Sequence, residues 1–262
     1  MRHSALVTHL SNALLGLVLL SPIAHSAEIQ VVSSGGFAAA YKQLAADFEK
    51  ETHHKLVSGW GPSMGTTKNA IPLRLERGET IDVVIMVGGS LDELMSQGKL
   101  LAGSKVVLAN SPIACAVKKG APKPDISTVQ KLRAAFLNAK TIAYSDSASG
   151  EYIKKELMDK LGIAEQMKDK VRQIPATPVG EIVAKGEAEL GCQQRSELMA
   201  VGGGIDIIGL LPDDVQLVTP FSAAVVAKSK VPEQAKALVD FLGSPKNANT
   251  IRATGLEPSH LE

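Results

Sequence analysis

The chain has 262 residues, 45% of them hydrophobic, 21% charged and 3% aromatic, with a formal net charge of +1 and two cysteines. Ample apolar content with mixed charge argues against a disordered chain, and two cysteines argue against a disulfide-dense scaffold. No run of Lys or Arg interleaves with aromatics, so no nucleic acid is expected as a partner, and the length fits one large domain or two lobes of roughly 120 residues.

Residues 1–26 read as a secretory leader. Arg2 gives a positive start, residues 13–20 (ALLGLVLL) are apolar, Pro22 breaks the run, and Ala24-His25-Ser26 precedes Ala27. Eight apolar residues are too few to span a bilayer, so no membrane span is expected. Cleavage near Ser26 would leave a periplasmic mature chain.

From there strands and helices alternate. Residues 28–32 (EIQVV) read as a strand, followed by the turn Ser33-Ser34-Gly35-Gly36. Phe37, Tyr41, Leu44 and Phe48 then form one apolar helical stripe. Residues 55–58 are a second strand, GWGPSMG (59–65) leads into a helix interrupted by Pro72, and 82–86 (DVVIM) are a third strand. Gly88-Gly89 follow, and Ser90 with Glu93 predicts a capping box.

The pattern then restarts. Strands are predicted at 112–117 and 141–144, with a turn at 145–150 and a helix through Leu161. A strand at 171–174 is followed by Thr177 as helix cap, with Pro178 in the first turn. Strands at 190–193 and 223–227 follow, then a helix from Pro232 or Glu233 to Leu242 and a helical segment near Ala248. This alternation predicts an α/β fold of two lobes built on parallel sheets. Lobe 1 would hold 27–109 and 219–262, lobe 2 would hold 110–218, and the crossovers would lie at 108–112 and 217–222. Ligands of open α/β sheets bind outside the carboxyl ends of the strands, here in a cleft between lobes.

Several strand-to-helix turns carry small or hydroxyl residues: Ser34 and Gly35, Ser63 and Met64, Ser149, and the segment before Val179. Such helix starts offer free N–H groups to an anion. Gln194 and Arg195 after the strand LGCQQ add an amide and a guanidinium suited to a carboxylate. The expected partner is a small organic anion with more than one carboxylate.

Other motifs carry less. GWGPSMG misses the dinucleotide fingerprint by one residue. Gly61 to Gly65 does match G-x-S-x-G, but the mature chain offers only His53, His54 and His260 as a base, none well placed for a serine hydrolase. Adjacent His53 and His54 are no spaced ligand set, so no metal is expected. Cys115 and Cys192 would meet an oxidising compartment, where they can pair, but their apolar runs favour two buried thiols.

The runs EIQVVSSGGFAAAYKQLAADFEKE, LVSGWGPSMGTTKNAI and DVVIM resemble the periplasmic molybdate-binding proteins of type-2 solute-binding fold. So do IAYSDSASGEYIKKELMDKLGI, TPVGEIVAKGEAELGCQQRSE and PFSAAVVAKSKVPEQAKALVDFL in the second half. The resemblance implies the fold with its interlobe cleft, and places ligand contacts at Ser34, Ser63, Ala148 or Ser149, Val179 and Gln194. Gln194 stands where that family has a tyrosine, Arg195 replaces a small residue, and Gly35-Gly36 replace bulkier ones. These departures match a branch of the family, the aconitate isomerases, which shift a proton along an allylic tricarboxylate and need no cofactor. The base expected on that reading is one of Tyr144, Glu151, Tyr152 or Lys118. The alternative is a solute-binding protein for molybdate-like oxyanions or organic carboxylates that serves a transporter permease.

Overall fold

The computed structural model describes residues 26–259. The expected leader, apart from Ser26, and His260 lie outside the described residues.

The first half of the chain runs β1 (Glu28–Ser33), α1 (Gly35–Thr52), β2 (Lys55–Trp60), α2 (Ile71–Glu76), β3 (Val83–Val87), α3 (Gly88–Ser96) and β4 (Val106–Ser111). It then passes into a second sheet through β5 (Ile113–Lys118), α4 (Val129–Asn138), β6 (Ile142–Ser145), α5 (Ala148–Tyr152), α6 (Met158–Lys160) and α7 (Ala164–Met167). That lobe is completed by β7 (Val171–Ile174), α8 (Val179–Ala184), β8 (Leu190–Gln194), α9 (Arg195–Val201) and β9 (Ile205–Leu210). The chain returns to the first sheet with β10 (Thr219–Val225), α10 (Pro232–Leu242), α11 (Ala248–Ala253) and β11 (Glu257–Pro258). One sheet has the order β11-β4-β10-β3-β1-β2, the other β7-β6-β8-β5-β9.

Both sheets are mixed, not parallel as expected. β1 pairs parallel with β2 and β3, but β10 runs antiparallel to β3 and β4. Likewise β6 pairs parallel with β7 and β8, but β5 runs antiparallel to β8 and β9. The antiparallel members are the strands at the passages between the sheets: β4 leads through Pro112 into β5, and β9 leads back to β10. The segments expected as crossovers are largely strand: 108–111 belong to β4 and 219–222 to β10. Gln216 ties the two passages together. Its Oε1 accepts from Ile113 N at 2.8 Å, and its Nε2 donates to Ile113 O at 3.0 Å.

Each sheet is covered on both faces, which explains the unbroken apolar run of β3. Val83, Ile85 and Val87 pack with the α1 stripe Phe37, Tyr41, Leu44 and Phe48. Val84 and Met86 point the other way, against Ile71, Leu91 and Leu94 of α2 and α3. In the second lobe Ile113, Cys115 and Val117 face Leu132, Phe136 and Leu157, while Ala114 and Ala116 face Val179, Val183 and Leu198. This period-two division fixes the strand register, because a one-residue slip would exchange the two faces.

Cys115 and Cys192 are not free thiols. They stand opposite one another on β5 and β8 and form a disulfide. The capping box is also absent: α3 begins at Gly88, before Ser90, and the hydroxyl of Ser63 accepts from Val87 N at 2.9 Å. Pro178, not Thr177, caps α8.

Candidate functional site

The two lobes enclose a cavity of about 420 Å³ at the carboxyl ends of their strands. Gly35, at the start of α1, and Trp60 to Pro62, at the end of β2, form one wall. Ser145 to Ser147 at the end of β6, Ala176 to Pro178 after β7, and Gln193 of β8 form the other. Ala176 holds a left-handed backbone, with φ of 55°, which is uncommon for a residue with a side chain. Lys42 and Glu197 also line the cavity, with Asp146 and Glu181.

The walls touch at the first turns of two helices. Ser196 Oγ of α9 donates to Gly36 O of α1 at 2.7 Å. Next to this link, Glu197 lies against Gly35 so closely that a methyl group there would meet the carboxyl at 2.7 Å. Gln193 holds the other side of that carboxyl by donating its amide N–H to Glu197 Oε2. Gln193 is itself fixed, since its Oε1 accepts from Val179 N at 2.9 Å. Burial, with the charge of Asp146 adding to it, pushes the Glu197 carboxyl from the ordinary glutamate range up to about 7. Among the described residues no lysine or arginine forms an ion pair with it. The cleft's cation is Lys42, whose Nζ sits 4.8 Å from the centre of the Trp60 ring.

A family model described as bacterial extracellular solute-binding protein matches residues 29–257. The chain belongs to this family. It is 47% identical over 230 residues to an aconitate isomerase of a Pseudomonas species, covering 88% of this chain and 87% of that protein. It is 29% identical over 252 residues to the molybdate-binding protein ModA of Azotobacter vinelandii, covering 92% and 94%. The solved Azotobacter vinelandii periplasmic molybdate-binding protein superimposes with a TM-score of 0.69 at 22% identity, covering 87% of this chain and 98% of that one. The fold is thus the two-lobed type-2 periplasmic solute-binding fold. Among the described residues no helix is long and apolar enough to cross a membrane, and no three His, Cys, Asp or Glu are grouped to hold a metal ion.

Against this solute-binding frame the binding residues expected from sequence divide. Gly35 lines the cleft, and Ser34 beside it is buried with a hydroxyl that has no partner. Ser63 is buried, with its oxygen engaged by Val87 N, and Met64 packs on the first lobe's core. Ser149 Oγ lies 3.2 Å from Ser145 Oγ. The Val179 amide is already taken by Gln193. Gln194 points to the lobe junction and donates to Thr219 Oγ1 at 3.0 Å.

Arg195 is not a cleft residue. It lines a separate hollow with Asn110, Arg252, Leu256 and Glu257, and its Cγ lies against Gly255. The reason is helical geometry: Glu197 is two residues on, about 200° around the helix, so when Glu197 faces the cleft Arg195 faces away. Gly36 opens no ligand space either, because the Phe221 ring fills it.

None of the four candidate bases lines the cleft. Tyr144 and Tyr152 are core residues, and Tyr152 donates its hydroxyl to Val215 O at 2.7 Å. Burial, with Glu151 adding to it, raises the Tyr144 hydroxyl above its ordinary value. Glu151 pairs with Lys155 at 2.7 Å, which holds its carboxyl below the usual range. Lys118 ends β5 beside Gly186. Sequence reading missed Glu197, because an acid in the first turn of a helix is what the helix dipole favours anyway. No local spacing pointed to it either, since the four-residue rule holds within a helix and Gln193 lies on β8.

Proposed function

We propose that this protein is an exported aconitate isomerase, interconverting trans- and cis-aconitate in the interlobe cleft, with its leader cleaved near Ser26. The observation that carries the reading is the 47% identity to the Pseudomonas aconitate isomerase across 88% of the chain. The family description, bacterial extracellular solute-binding protein, supports a location outside the cytoplasm and a small-molecule ligand.

The chemistry fits the residues of the cleft. Aconitate carries a CH2 and a CH= group on either side of a carboxylate-bearing carbon. A base takes a proton from the CH2, the electron pair delocalises over three carbons and their carboxylates, and a proton returns to the former CH=. One proton and one double bond move, so no redox partner enters the balance. The substrate's carboxylates would be met by the unpartnered Ser34 hydroxyl, the free first-turn amides of α1 and the Lys42 ammonium. A site of this kind lowers the barrier by presenting fixed donors where charge develops.

The experiment is direct: purified protein is incubated with trans-aconitate and the cis isomer followed by NMR. Turnover supports the reading, and none overturns it. The 29% identity to ModA favours the second reading, a transport protein for molybdate-like oxyanions. Tight molybdate binding by calorimetry, with no turnover of aconitate, would establish it.

A further inference from the structure

We propose that Glu197 is the catalytic base of this cleft, and that one carboxyl serves the whole reaction: it removes the proton from the CH2 carbon and returns it to the other end of the allyl system. The inference rests on the isomerase reading and names the residue that reading leaves open.

Two features of geometry single out Glu197 among the cleft's carboxyls. First, it lies at the meeting of the two lobes, in the turn whose Ser196 bonds Gly36 across the cleft. It lines the cavity that a ligand held between the lobes would occupy. Second, its orientation is fixed by a relay from the Val179 amide through the Gln193 side chain to Glu197 Oε2. That leaves Oε1 on the Gly35 side, where the missing side chain makes room. Like Asp146 and Glu181, Glu197 is in no ion pair among the described residues, whereas Glu151, a base candidate outside the cleft, is tied to Lys155.

The charged groups around it come from separate elements: Asp146 from the loop after β6, Glu181 from α8 and Lys42 from α1. Burial and Asp146 push its carboxyl up to about 7. A group that is half ionised near neutral pH can take a proton in one step and give it back in the next. In the forward direction the Glu197 carboxylate gains the proton and the substrate becomes the delocalised carbanion. In the second step the O–H bond breaks, a C–H bond forms at the other terminal carbon, and the carboxylate is regenerated.

The test uses the full-length mature protein and trans-aconitate. Glu197→Gln keeps the shape of the side chain and removes the base. The expected result is a fall in kcat of at least about 100-fold. Calorimetric affinity for trans-aconitate should stay within about fivefold, the circular dichroism spectrum should be unchanged, and exchange of the substrate CH2 protons in deuterated water should cease. Glu181→Gln should retain exchange, and Asp146→Asn should retain it with its onset moved to lower pH, because the charge that helps raise the Glu197 carboxyl is gone. Glu197→Asp should recover part of kcat, which guards against misfolding of the glutamine variant. If the wild-type protein neither isomerises nor exchanges, the isomerase reading itself fails. If the wild type turns over and Glu197→Gln does so within tenfold, the assignment to Glu197 is overturned. Loss of turnover only in the Asp146 or Glu181 variant overturns it equally.

Discussion

Gly35 and Glu197 face each other where the lobes meet, with space between them for a hydrogen on Gly35 but not for a methyl group. The next residue is also crowded, but by a different neighbour: a methyl on Gly36 would lie 2.0 Å from Phe221 Cζ, inside the core. The two glycines therefore predict different phenotypes. Gly35→Ala should fold normally, since alanine is the better helix former and the carboxyl end of Glu197 can swing aside. The displaced carboxyl should cost 10-fold or more in kcat for trans-aconitate, because a small misplacement of a reacting group is expensive. Gly36→Ala should instead lose about 1–3 kcal/mol of stability by overpacking. Thermal melts alongside initial rates separate the two, and a Gly35→Ala protein with full activity would contradict the geometry.

The raised Glu197 carboxyl also sets a stability dependence on pH. Its folded value, about 7, lies above the ordinary 4.5, so the folded state holds this proton more tightly than the unfolded state does. The group then costs nothing below about pH 4.5, and its ionisation penalty grows as pH rises from there to about 7. Glu197→Gln removes that penalty. The variant should melt close to wild type at pH 4 and higher than wild type at pH 8. The gain should be about 1–3 kcal/mol, allowing for the partial solvent contact of the side chain. An equal difference at both pH values would show that Glu197 titrates normally.

The parts of this molecule that sequence revealed are those governed by local pattern. The Phe37, Tyr41, Leu44 and Phe48 stripe declared α1, and all four side chains are buried on its inner face. β4 was hidden, because Asn110 and Ser111 close it with polar residues and its pairing with β10 spans more than a hundred positions. Gly35, read in sequence as part of a turn offering free N–H groups, lines the cleft. Glu197 was not legible, because its chemistry comes from burial between two lobes, and no local pattern reports which first-turn acid will be shielded from water. Arg195 misled for the complementary reason: its charge was visible in sequence and its direction was not.

That direction gives a prediction. Arg195 lines the hollow beside α11 and β11, on the face of α9 opposite Glu197. Arg195→Ala should leave KM for trans-aconitate within about twofold, whereas a buried charge pair with the substrate would cost about 2–5 kcal/mol in binding when truncated. Lys42→Ala, by contrast, removes the cation on the cleft wall and should raise KM several-fold with a smaller effect on kcat. Steady-state kinetics on the two variants decide which cation serves the ligand, and a large KM rise for Arg195→Ala would return that residue to the site.

The disulfide has a structural role rather than a chemical one. Cys115 and Cys192 join neighbouring strands β5 and β8 within the core of the second lobe, and neither lines the cleft. The bond closes a loop with a sequence separation of 77, so its main effect is to restrict the unfolded chain. The Cys115→Ala, Cys192→Ala double variant should lose about 2–4 kcal/mol in denaturant unfolding. Its kcat at temperatures where it stays folded should match wild type, because the Gln193 to Glu197 relay is held by Val179 and not by the bond. Wild-type protein should show the same loss of stability in strong reductant, once unfolding exposes the sulfurs. A selective fall in kcat without loss of stability would mean that the strand pairing beneath Gln193 depends on the bridge.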